Sequence, residues 1–274
     1  MEVRILKQTI YRFLIELTNG RWTSSLLKKF ALSKASRFII PSFSKTYRIN
    51  EREMEKTKAE YHSLHDFFTR RLRENAREID VEANSVISPV DAVINDIGLI
   101  ESSHQITVKG KQYSIKEMLG SDERVMKYTD GYYMIFYLSP SHYHRIHSPV
   151  DGVVVDQWTL GTKSYPVNKL GLKYGKNTLS KNYRTISEVK HASGQLAIVK
   201  VGAMFVNSIE LIHENEKLAK GEEMAYFSFG STVVLLFEKD SFQLKSSIRP
   251  PTNIKVGECI GYLLPKEKTA TGRL

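Results

Sequence analysis

Two similar segments, which begin sixty positions apart at Ser88 and Ser148, constrain the fold more than any other feature of this sequence. The first reads Ser88-Pro89-Val90-Asp91-Ala92-Val93-Ile94 and the second reads Ser148-Pro149-Val150-Asp151-Gly152-Val153-Val154. A weaker echo pairs residues 220–224 with 255–261, each with a Gly-Glu pair ahead of an apolar residue. Repeated turns that open apolar runs predict two similar β-units, which would hide their edges by closing on each other.

The region after about residue 80 consists of short β-rich runs separated by turns, which predicts a β-rich domain over residues 76–274. Apolar runs predict strands at 132–138, at 196–203 and directly after Ser231. Residues 161–184 combine Gly, Pro and several Lys and predict a long loop. The repeated Pro-x-Asp and Gly-Glu units are similar to those of biotinyl- and lipoyl-type domains, which implies half-barrel repeats in this domain.

Residues 1–75 predict a helical segment, so the expected fold class is α+β. Apolar residues recur at helical spacing from Val3 to Leu17 and again from Trp22 to Leu32. Ser63 and Asp66 have the spacing of a capping box, with Asp in place of the usual Glu, and predict a helix that continues through Leu72.

The net charge of +10 is concentrated at the N-terminus, where residues 1–50 carry ten Lys or Arg against two Glu, which is +8. Basic amphipathic helices of this kind suit an anionic membrane surface, so we expect residues 1–40 to attach the protein to one. A helical hairpin packed on the rest of the chain is the alternative, and no nucleic-acid-binding motif accompanies the charge.

No stretch has the roughly 20 apolar residues of a spanning helix, and charges interrupt any secretory signal. The expected location is therefore peripheral, at the cytoplasmic face of the membrane.

Cysteine and histidine limit the chemistry. Cys259 is the single cysteine and lies in an apolar stretch, which predicts a buried, inert thiol and no intrachain disulfide.

His142, His144 and His147 lie within six positions, but on a strand only the first two share a face. With neither an HExxH motif nor a facing cysteine set, we predict no metal site.

A Ser-His-Asp set is the second interpretation of these histidines. Serine becomes nucleophilic only when a base takes its proton, and an acceptor must hold the imidazole in the right tautomer. Ser231, a histidine from 144–147 and either Asp91 or Asp151 could form such a set. These residue types support a hydrolase as readily as any other serine chemistry.

The Gly230-Ser231 bond offers a different use for the same serine. Gly230 has no Cβ, so another group can approach its carbonyl closely. Attack by the Ser231 hydroxyl on that carbonyl would convert the peptide to an ester, and elimination would then break the chain. A glycine at the entrance to a strand explains the same residues without any chemistry.

A series of motifs follows in order along the chain from about Ser63 to Leu264. They are Asp66-Phe67-Phe68-Thr69-Arg70, Ser88-Pro89-Val90-Asp91, Tyr137-Leu138-Ser139-Pro140, Tyr143-His144-Arg145-Ile146-His147, Val167-Asn168, Asn182-Tyr183-Arg184, Val201-Gly202-Ala203, Lys220-Gly221-Glu222-Glu223-Met224 and Gly230-Ser231-Thr232. In this order they resemble the prokaryotic phosphatidylserine decarboxylases, which are pyruvoyl-dependent enzymes that cut themselves at a Gly-Ser bond.

The resemblance implies a role for each matching residue. Ser231 is expected to be the nucleophile and to become the pyruvoyl group, which leaves chains 1–230 and 231–274 associated as a heterodimer. His147 is the expected base for cleavage, Asp91 its orienting partner, and His144 the acid/base of decarboxylation. The implied substrate is phosphatidylserine, and the products are phosphatidylethanolamine and carbon dioxide. A Ser-His-Asp hydrolase and a non-enzymatic biotinyl/lipoyl-like module are the alternatives.

Overall fold

The computed structural model describes residues 21–108, 110–162, 165, 167, 177–202, 209–213, 215–228 and 231–265. The α-helices are α1 (Arg21–Leu32), α2 (Ile40–Tyr47), α3 (Leu64–Phe68), α4 (Ile115–Leu119), α5 (Asp122–Met126) and α6 (Thr178–Lys181), and 3₁₀ turns occur at Lys34–Ile39, Glu51–Glu53 and Lys58–Glu60. The strands are β1 (Ser85–Ile87), β2 (Ala92–Leu99), β3 (Gln105–Val108), β4 (Lys111–Ser114), β5 (Tyr132–Leu138), β6 (Arg145–His147), β7 (Gly152–Leu160), β8 (Arg184–His191), β9 (Gly194–Gly202), β10 (Ile209–Leu211), β11 (Lys217–Leu218), β12 (Glu223–Phe227), β13 (Ser231–Phe237), β14 (Phe242–Leu244), β15 (Thr252–Ile254) and β16 (Cys259–Leu263). This mixture of helices and strands confirms the α+β class.

An eight-stranded antiparallel sheet in the order β11-β7-β8-β9-β13-β5-β2-β15 forms the centre of the fold. Strand β13 lies between β9 and β5, and all of its residues are buried. Its run of β-branched and apolar residues suits a strand that is covered on both faces. The strands predicted at 132–138 and 196–203 are confirmed as β5 and β9.

Each face of the central sheet carries its own hydrophobic core. Two three-stranded sheets, β1-β16-β14 and β10-β12-β6, contribute side chains to the first core, together with alternate residues of β13 such as Val233 and Leu235. The β3-β4 hairpin and helices α4 and α5 contribute to the second core, which includes Val234 and Leu236. Because successive strand residues point to opposite faces, Ser231 shares the first face with Val233.

The echo in the sequence corresponds to two equivalent turns that bond to each other. The Ser88 hydroxyl donates to the Val90 carbonyl over 2.7 Å, and the Ser148 hydroxyl donates to the Val150 carbonyl over the same distance. The amide of Ile87 donates to the Pro149 carbonyl, and that of His147 donates to the Pro89 carbonyl. The two turns therefore form reciprocal backbone hydrogen bonds with each other, as in a local two-fold arrangement.

The second echo extends this relation. The Ser148 amide donates to the Glu222 carbonyl and the Ser88 amide to the Glu258 carbonyl, each over 2.8 Å. Gly221 and Gly257, at matching positions, both have positive φ. The strands that follow the two turns, β2 and β7, carry a register shift at the same relative place. The repeat predicted from the sequence is therefore confirmed as two structurally equivalent units.

The helical segment differs from its prediction in two places. Ser63 accepts from the Asp66 amide as expected, but the Asp66 carboxylate accepts from the His62 amide instead of completing a capping box. Helix α3 ends at Phe68, so the prediction of a helix through Leu72 is wrong. The reason is tertiary: Leu72 forms a β-bridge with Met54, which requires extended backbone.

Two further predictions concern the N-terminus and the long loop. The predicted helix from Val3 to Leu17 and half of the predicted loop at 161–184 lie outside the described residues. Within the described part of that loop, α6 and the first residue of β8 occupy 178–181 and 184, so the loop prediction is wrong there. The helix predicted at Trp22 to Leu32 is confirmed as α1.

Candidate active site

Ser231 is the first residue of β13, between Leu138 on β5 and Gly202 on β9. Its side chain is fully buried, and its Oγ has no hydrogen-bond partner among the described residues. A buried hydroxyl without a partner costs about 1–3 kcal/mol, so its retention favours a chemical role. Gly230, the other half of the predicted cleavage site, lies outside the described residues.

His144 is also fully buried, and its ring lies 3.9 Å from the ring of Phe68, measured between centroids. Its Nδ1 is 2.9 Å from the His142 carbonyl, which can only accept, so the proton is on Nδ1 and Nε2 carries a lone pair. That Nε2 has no partner within the described part of the chain. Burial, reinforced by the charge of Arg70, lowers the pKa of His144 well below its ordinary value, so the ring is neutral at pH 7.

His147 lies on β6, opposite Glu223 of β12. Its Nδ1 donates to the Gly221 carbonyl over 2.7 Å, which leaves a lone pair on Nε2, 3.3 Å from the Tyr143 hydroxyl. Burial lowers the pKa of His147, and the bond to Gly221 and the charges of Glu223 and Asp91 oppose this shift in part. His147 is therefore a neutral imidazole with one basic nitrogen near pH 7.

Asp91 is buried at the end of the first turn, with Arg77 as its main partner. Arg77 Nε donates to Asp91 Oδ1 over 2.8 Å, and Arg77 Nη2 donates to Oδ2. The Val256 amide also donates to Oδ1, over 2.9 Å, and Arg77 forms a second ion pair with Glu53. Across the ranges that the structure describes, no hydrogen bond joins Asp91 to His147. Their coupling is through charge, since Asp91 raises the pKa of His147.

Strand pairing gives the order of the two histidines relative to Ser231. The amide of Phe227 donates to the His144 carbonyl, whereas His147 lies opposite Glu223. Phe227 is closer in sequence to Ser231 than Glu223 is, so in strand register His144 is the nearer histidine to Ser231. Among the described residues, Ser231 Oγ and His144 Nε2 are both buried and have no hydrogen-bond partner.

The third histidine of the cluster, His142, accepts from the Ser139 amide at Nδ1 over 3.0 Å. In the described ranges no group of three or more His, Cys, Asp or Glu side chains is placed to hold a metal ion. Cys259 is a buried free thiol, as predicted.

Several residues at the site were missed by sequence reasoning. His65 is half-buried on α3, with its Nε2 3.2 Å from the Ser228 hydroxyl. His65 and Phe68 are three positions apart, so one face of α3 contacts both Ser228 and His144. Arg77 and Tyr143 were also missed. Arg77 bonds to Asp91, which is distant in sequence, and no local pattern predicts the contact of Tyr143 with His147.

The described part of the N-terminal segment exposes apolar and basic side chains together. Leu26 and Phe38 are 69% and 87% exposed, and Phe30, Lys29 and Lys34 are also exposed. None of the helices described here has the length and apolar character needed to cross a bilayer.

Comparison with known proteins gives one consistent result. The family model described as phosphatidylserine decarboxylase matches residues 64–262. A phosphatidylserine decarboxylase proenzyme of Geobacillus sp. (strain WCH70) is 60% identical over 254 residues, which cover 93% of this chain and 98% of the relative. Proteins with the same name from Anoxybacillus flavithermus (strain DSM 21510 / WK1) and Bacillus thuringiensis (strain Al Hakam) are 58% and 55% identical, over 95% and 94% of this chain and 98% and 99% of their own lengths.

Proposed function

The chain belongs to the phosphatidylserine decarboxylase family, and we propose that it is a self-processing enzyme that converts phosphatidylserine into phosphatidylethanolamine and carbon dioxide. Its relatives are named proenzymes, and the chain covers nearly their whole length. The observation that carries the proposal within the structure is the buried Ser231 Oγ, which has no hydrogen-bond partner among the described residues.

Self-cleavage begins at this hydroxyl. Attack of Ser231 Oγ on the Gly230 carbonyl carbon forms an ester and frees the amino group of residue 231. Loss of the Cα proton and cleavage of the Cβ–Oγ bond release the Gly230 carboxylate, and uptake of water with loss of ammonia leaves a ketone. The buried hydroxyl suits this reaction, because no hydrogen bond to another described residue has to break before the attack.

We assign His147 as the base that takes the Ser231 proton. Its Nδ1 proton is held by the Gly221 carbonyl, which fixes the tautomer and leaves the lone pair on Nε2, 3.3 Å from the Tyr143 hydroxyl. Asp91 supports His147 through its negative charge, because the Asp91 oxygens are bonded to Arg77 and the Val256 amide. His144, the nearer histidine along the strand, is the competing candidate for this step.

We assign His144 to proton transfer during decarboxylation. A pyruvoyl ketone formed from Ser231 supplies the electron sink for the electron pair of the breaking carbon–carboxylate bond. The Nε2 lone pair of His144, which has no partner among the described residues, can take up a proton and pass it to the substrate carbon, and Phe68 limits the movement of the ring. Burial of both groups excludes water, which strengthens electrostatic interactions at the site.

We further propose a division into a membrane-associating helical segment, residues 1–75, and a β-rich catalytic domain, residues 76–274. In the β-rich catalytic domain, the two equivalent turns would belong to half-barrels of biotinyl/lipoyl type. Residues 1–40 would attach the enzyme to anionic lipid at the cytoplasmic face of the membrane, and chains 1–230 and 231–274 would stay together as a heterodimer. The exposed apolar and basic side chains at 26–39 support this attachment.

Mass spectrometry of the freshly purified protein under denaturing conditions tests self-cleavage. We expect two fragments, 1–230 and 231–274, the smaller with a blocked N-terminus that forms a hydrazone. Ser231→Ala should remain in one piece, while Ser241→Ala, which changes another buried serine of the same domain, should still split. A Ser-His-Asp hydrolase would instead stay whole and react with serine-directed probes. Cleavage at the same bond in Ser231→Ala would disprove the assignment of the nucleophile.

Vesicle sedimentation tests the membrane proposal. The double variant Lys29→Glu/Lys34→Glu should bind anionic vesicles at least about tenfold more weakly, since each basic residue near the surface contributes about 1 kcal/mol. Lys190→Glu/Lys239→Glu changes the same charge at exposed sites of the β-rich domain and should bind like the parent. Binding that is insensitive to salt, or equal losses in both variants, would contradict attachment through the N-terminal segment.

A further inference from the structure

A cavity of about 330 Å³ opens between the helical segment and the first of the two equivalent turns. Four of the side chains that line it are cationic: Arg48, Arg70, Arg77 and Lys255. Its other polar side chains include those of Asn50 and Asn253. Neither Ser231 nor His144 is among the lining residues, so the cavity is separate from the buried pair at the candidate active site.

Two of the four cations are neutralised by carboxylates. Arg77 pairs with both Asp91 and Glu53, and Lys255 pairs with Glu53 over 3.2 Å. These contacts leave Arg48 and Arg70 as the positive charges of the cavity without an ion-pair partner in the described residues. The third acidic residue of the lining, Glu258, is exposed and accepts from the Lys255 amide.

Arg70 is the unusual member of this set. Only 4% of its surface is exposed, and its Nη2 donates to the carbonyls of Ser141 and His142 over 3.0 and 2.9 Å. Its Nε and Nη1 have no hydrogen-bond partner within the described part of the chain. Burial lowers the pKa of Arg70 to about 10, which still leaves the guanidinium charged at pH 7. A buried charge with two unsatisfied donors is costly unless an anion meets it.

Arg48 is the second cation of the cavity without an ion-pair partner among the described residues. It ends α2 in the left-handed conformation, and its side chain is exposed at the rim of the cavity. Two guanidinium groups and two side-chain amides around one void match a tetrahedral oxyanion, because arginine donates in pairs to phosphate oxygens.

We propose that this cavity binds a phosphate-type oxyanion, either free phosphate or the phosphate of a lipid headgroup, with Arg70 and Arg48 as its charge partners. The ligand would lie beside the Asp91–Arg77 ion pair and on the N-terminal side of the first turn. The proposal does not depend on the reaction at Ser231, because neither Arg48 nor Arg70 is assigned a step in that chemistry.

Calorimetric titration of the whole protein with inorganic phosphate and with glycerol 3-phosphate, at constant ionic strength, tests the site. We expect Arg48→Gln to weaken binding of these probes by about tenfold or more, the value of one charge-assisted hydrogen bond. Arg70→Gln should abolish binding. The matched controls Arg52→Gln and Arg71→Gln change exposed arginines outside the lining and should bind like the parent.

Vesicles distinguish the two sources of the phosphate. If a lipid supplies it, Arg48→Gln should bind phosphatidylcholine vesicles containing phosphatidylglycerol more weakly than Arg52→Gln does. If free phosphate is the ligand, the two variants should bind these vesicles equally and differ only in the titration. Arg48 is exposed, so its variant decides the matter even if Arg70→Gln fails to fold. Absence of binding in both assays, or equal losses in the control variants, would overturn the proposal.

Discussion

The turns that begin at Ser88 and Ser148 have the same internal hydrogen bonds, the same exchange of backbone bonds and the same neighbouring glycine, yet their side chains differ in use. Asp91 is buried against Arg77, whereas Asp151, at the matching position, is exposed and accepts from the Lys220 amide over 2.9 Å. Just before the turns, Ile87 occupies in the first unit the position that His147 occupies in the second.

The backbone geometry of the two turns is therefore independent of the roles of their side chains. The shared bonds hold both turns in one geometry, and that geometry needs only Ser, Pro and a following aspartate. What distinguishes the copies is their surroundings, since Arg77, which also pairs with Glu53, forms an ion pair with the first aspartate. The first unit thus contributes the buried carboxylate of Asp91, and the second contributes the imidazole of His147. The reciprocal backbone hydrogen bonds between the two turns bring both groups to the same side of the fold.

The largest expected effect comes from making the second unit more like the first. His147→Ile places in the second unit the side chain that the first carries at the matching position, so the fold should tolerate it. Self-cleavage should slow by about 10²-fold or more, the usual contribution of a general base. Time-resolved gel analysis of cleavage, with circular dichroism to show that the variant folds, measures both outcomes.

The pH dependence of the parent sharpens this prediction. A base must be neutral to accept a proton, and burial lowers the pKa of His147 from its ordinary value of 6.5. The cleavage rate should therefore be constant from pH 8 to pH 7 and fall to half of this plateau only below pH 6.5. A rate that already falls between pH 8 and 7, or cleavage in His147→Ile at the parental rate, would exclude this histidine and favour His144.

The next effect compares the two aspartates in the Ser231→Ala background, where cleavage does not interfere. Asp91→Asn leaves the buried Arg77 with one carboxylate instead of two and should lower the free energy of unfolding by about 3 kcal/mol. Asp151→Asn should change it by less than about 0.5 kcal/mol, because the residue is exposed. Urea denaturation measures both values, and equal losses would show that the turns are equivalent in energy as well as in geometry.

The smallest effect concerns the two glycines with positive φ. A Cβ at Gly257 would lie 2.0 Å from the Glu78 backbone oxygen, whereas one at Gly221 would meet only side-chain atoms of Ile79, at 3.0 Å or more. Alanine in a left-handed conformation costs about 1–2 kcal/mol, and overpacking adds about 1–3 kcal/mol. We expect Gly257→Ala to lower the midpoint of urea denaturation more than Gly221→Ala does. The reverse order would contradict the tighter packing of the first unit.

Sequence reasoning predicted the elements whose signals are local. The run from Val233 to Phe237 predicted β13, and the repeated Ser-Pro-Val-Asp turns predicted the internal duplication. It was wrong about Leu72, where the bridge to Met54 overrides a helical pattern. It also offered no way to find that His65 contacts Ser228, a residue 163 positions away.

The residues of the candidate site were present in the motifs, and their roles stay predictions. The partners that define the chemistry lie far along the chain: the Gly221 carbonyl fixes the His147 tautomer from 74 positions away, and Arg77 holds the carboxylate of Asp91. Such contacts depend on how strands are ordered in the sheet, which local patterns do not encode.

By itself, the sequence determined the two equivalent turns, the buried strand that starts at Ser231 and membership of the decarboxylase family, because turn chemistry, apolar runs and motif order are properties of neighbouring residues. Only the tertiary structure decided which aspartate is buried, which histidine nitrogen carries the lone pair and which arginines of the cavity have no ion-pair partner among the described residues. Those properties depend on burial and on partners brought together by folding. An aspartate, for example, is buried and ion-paired at position 91 but exposed at position 151.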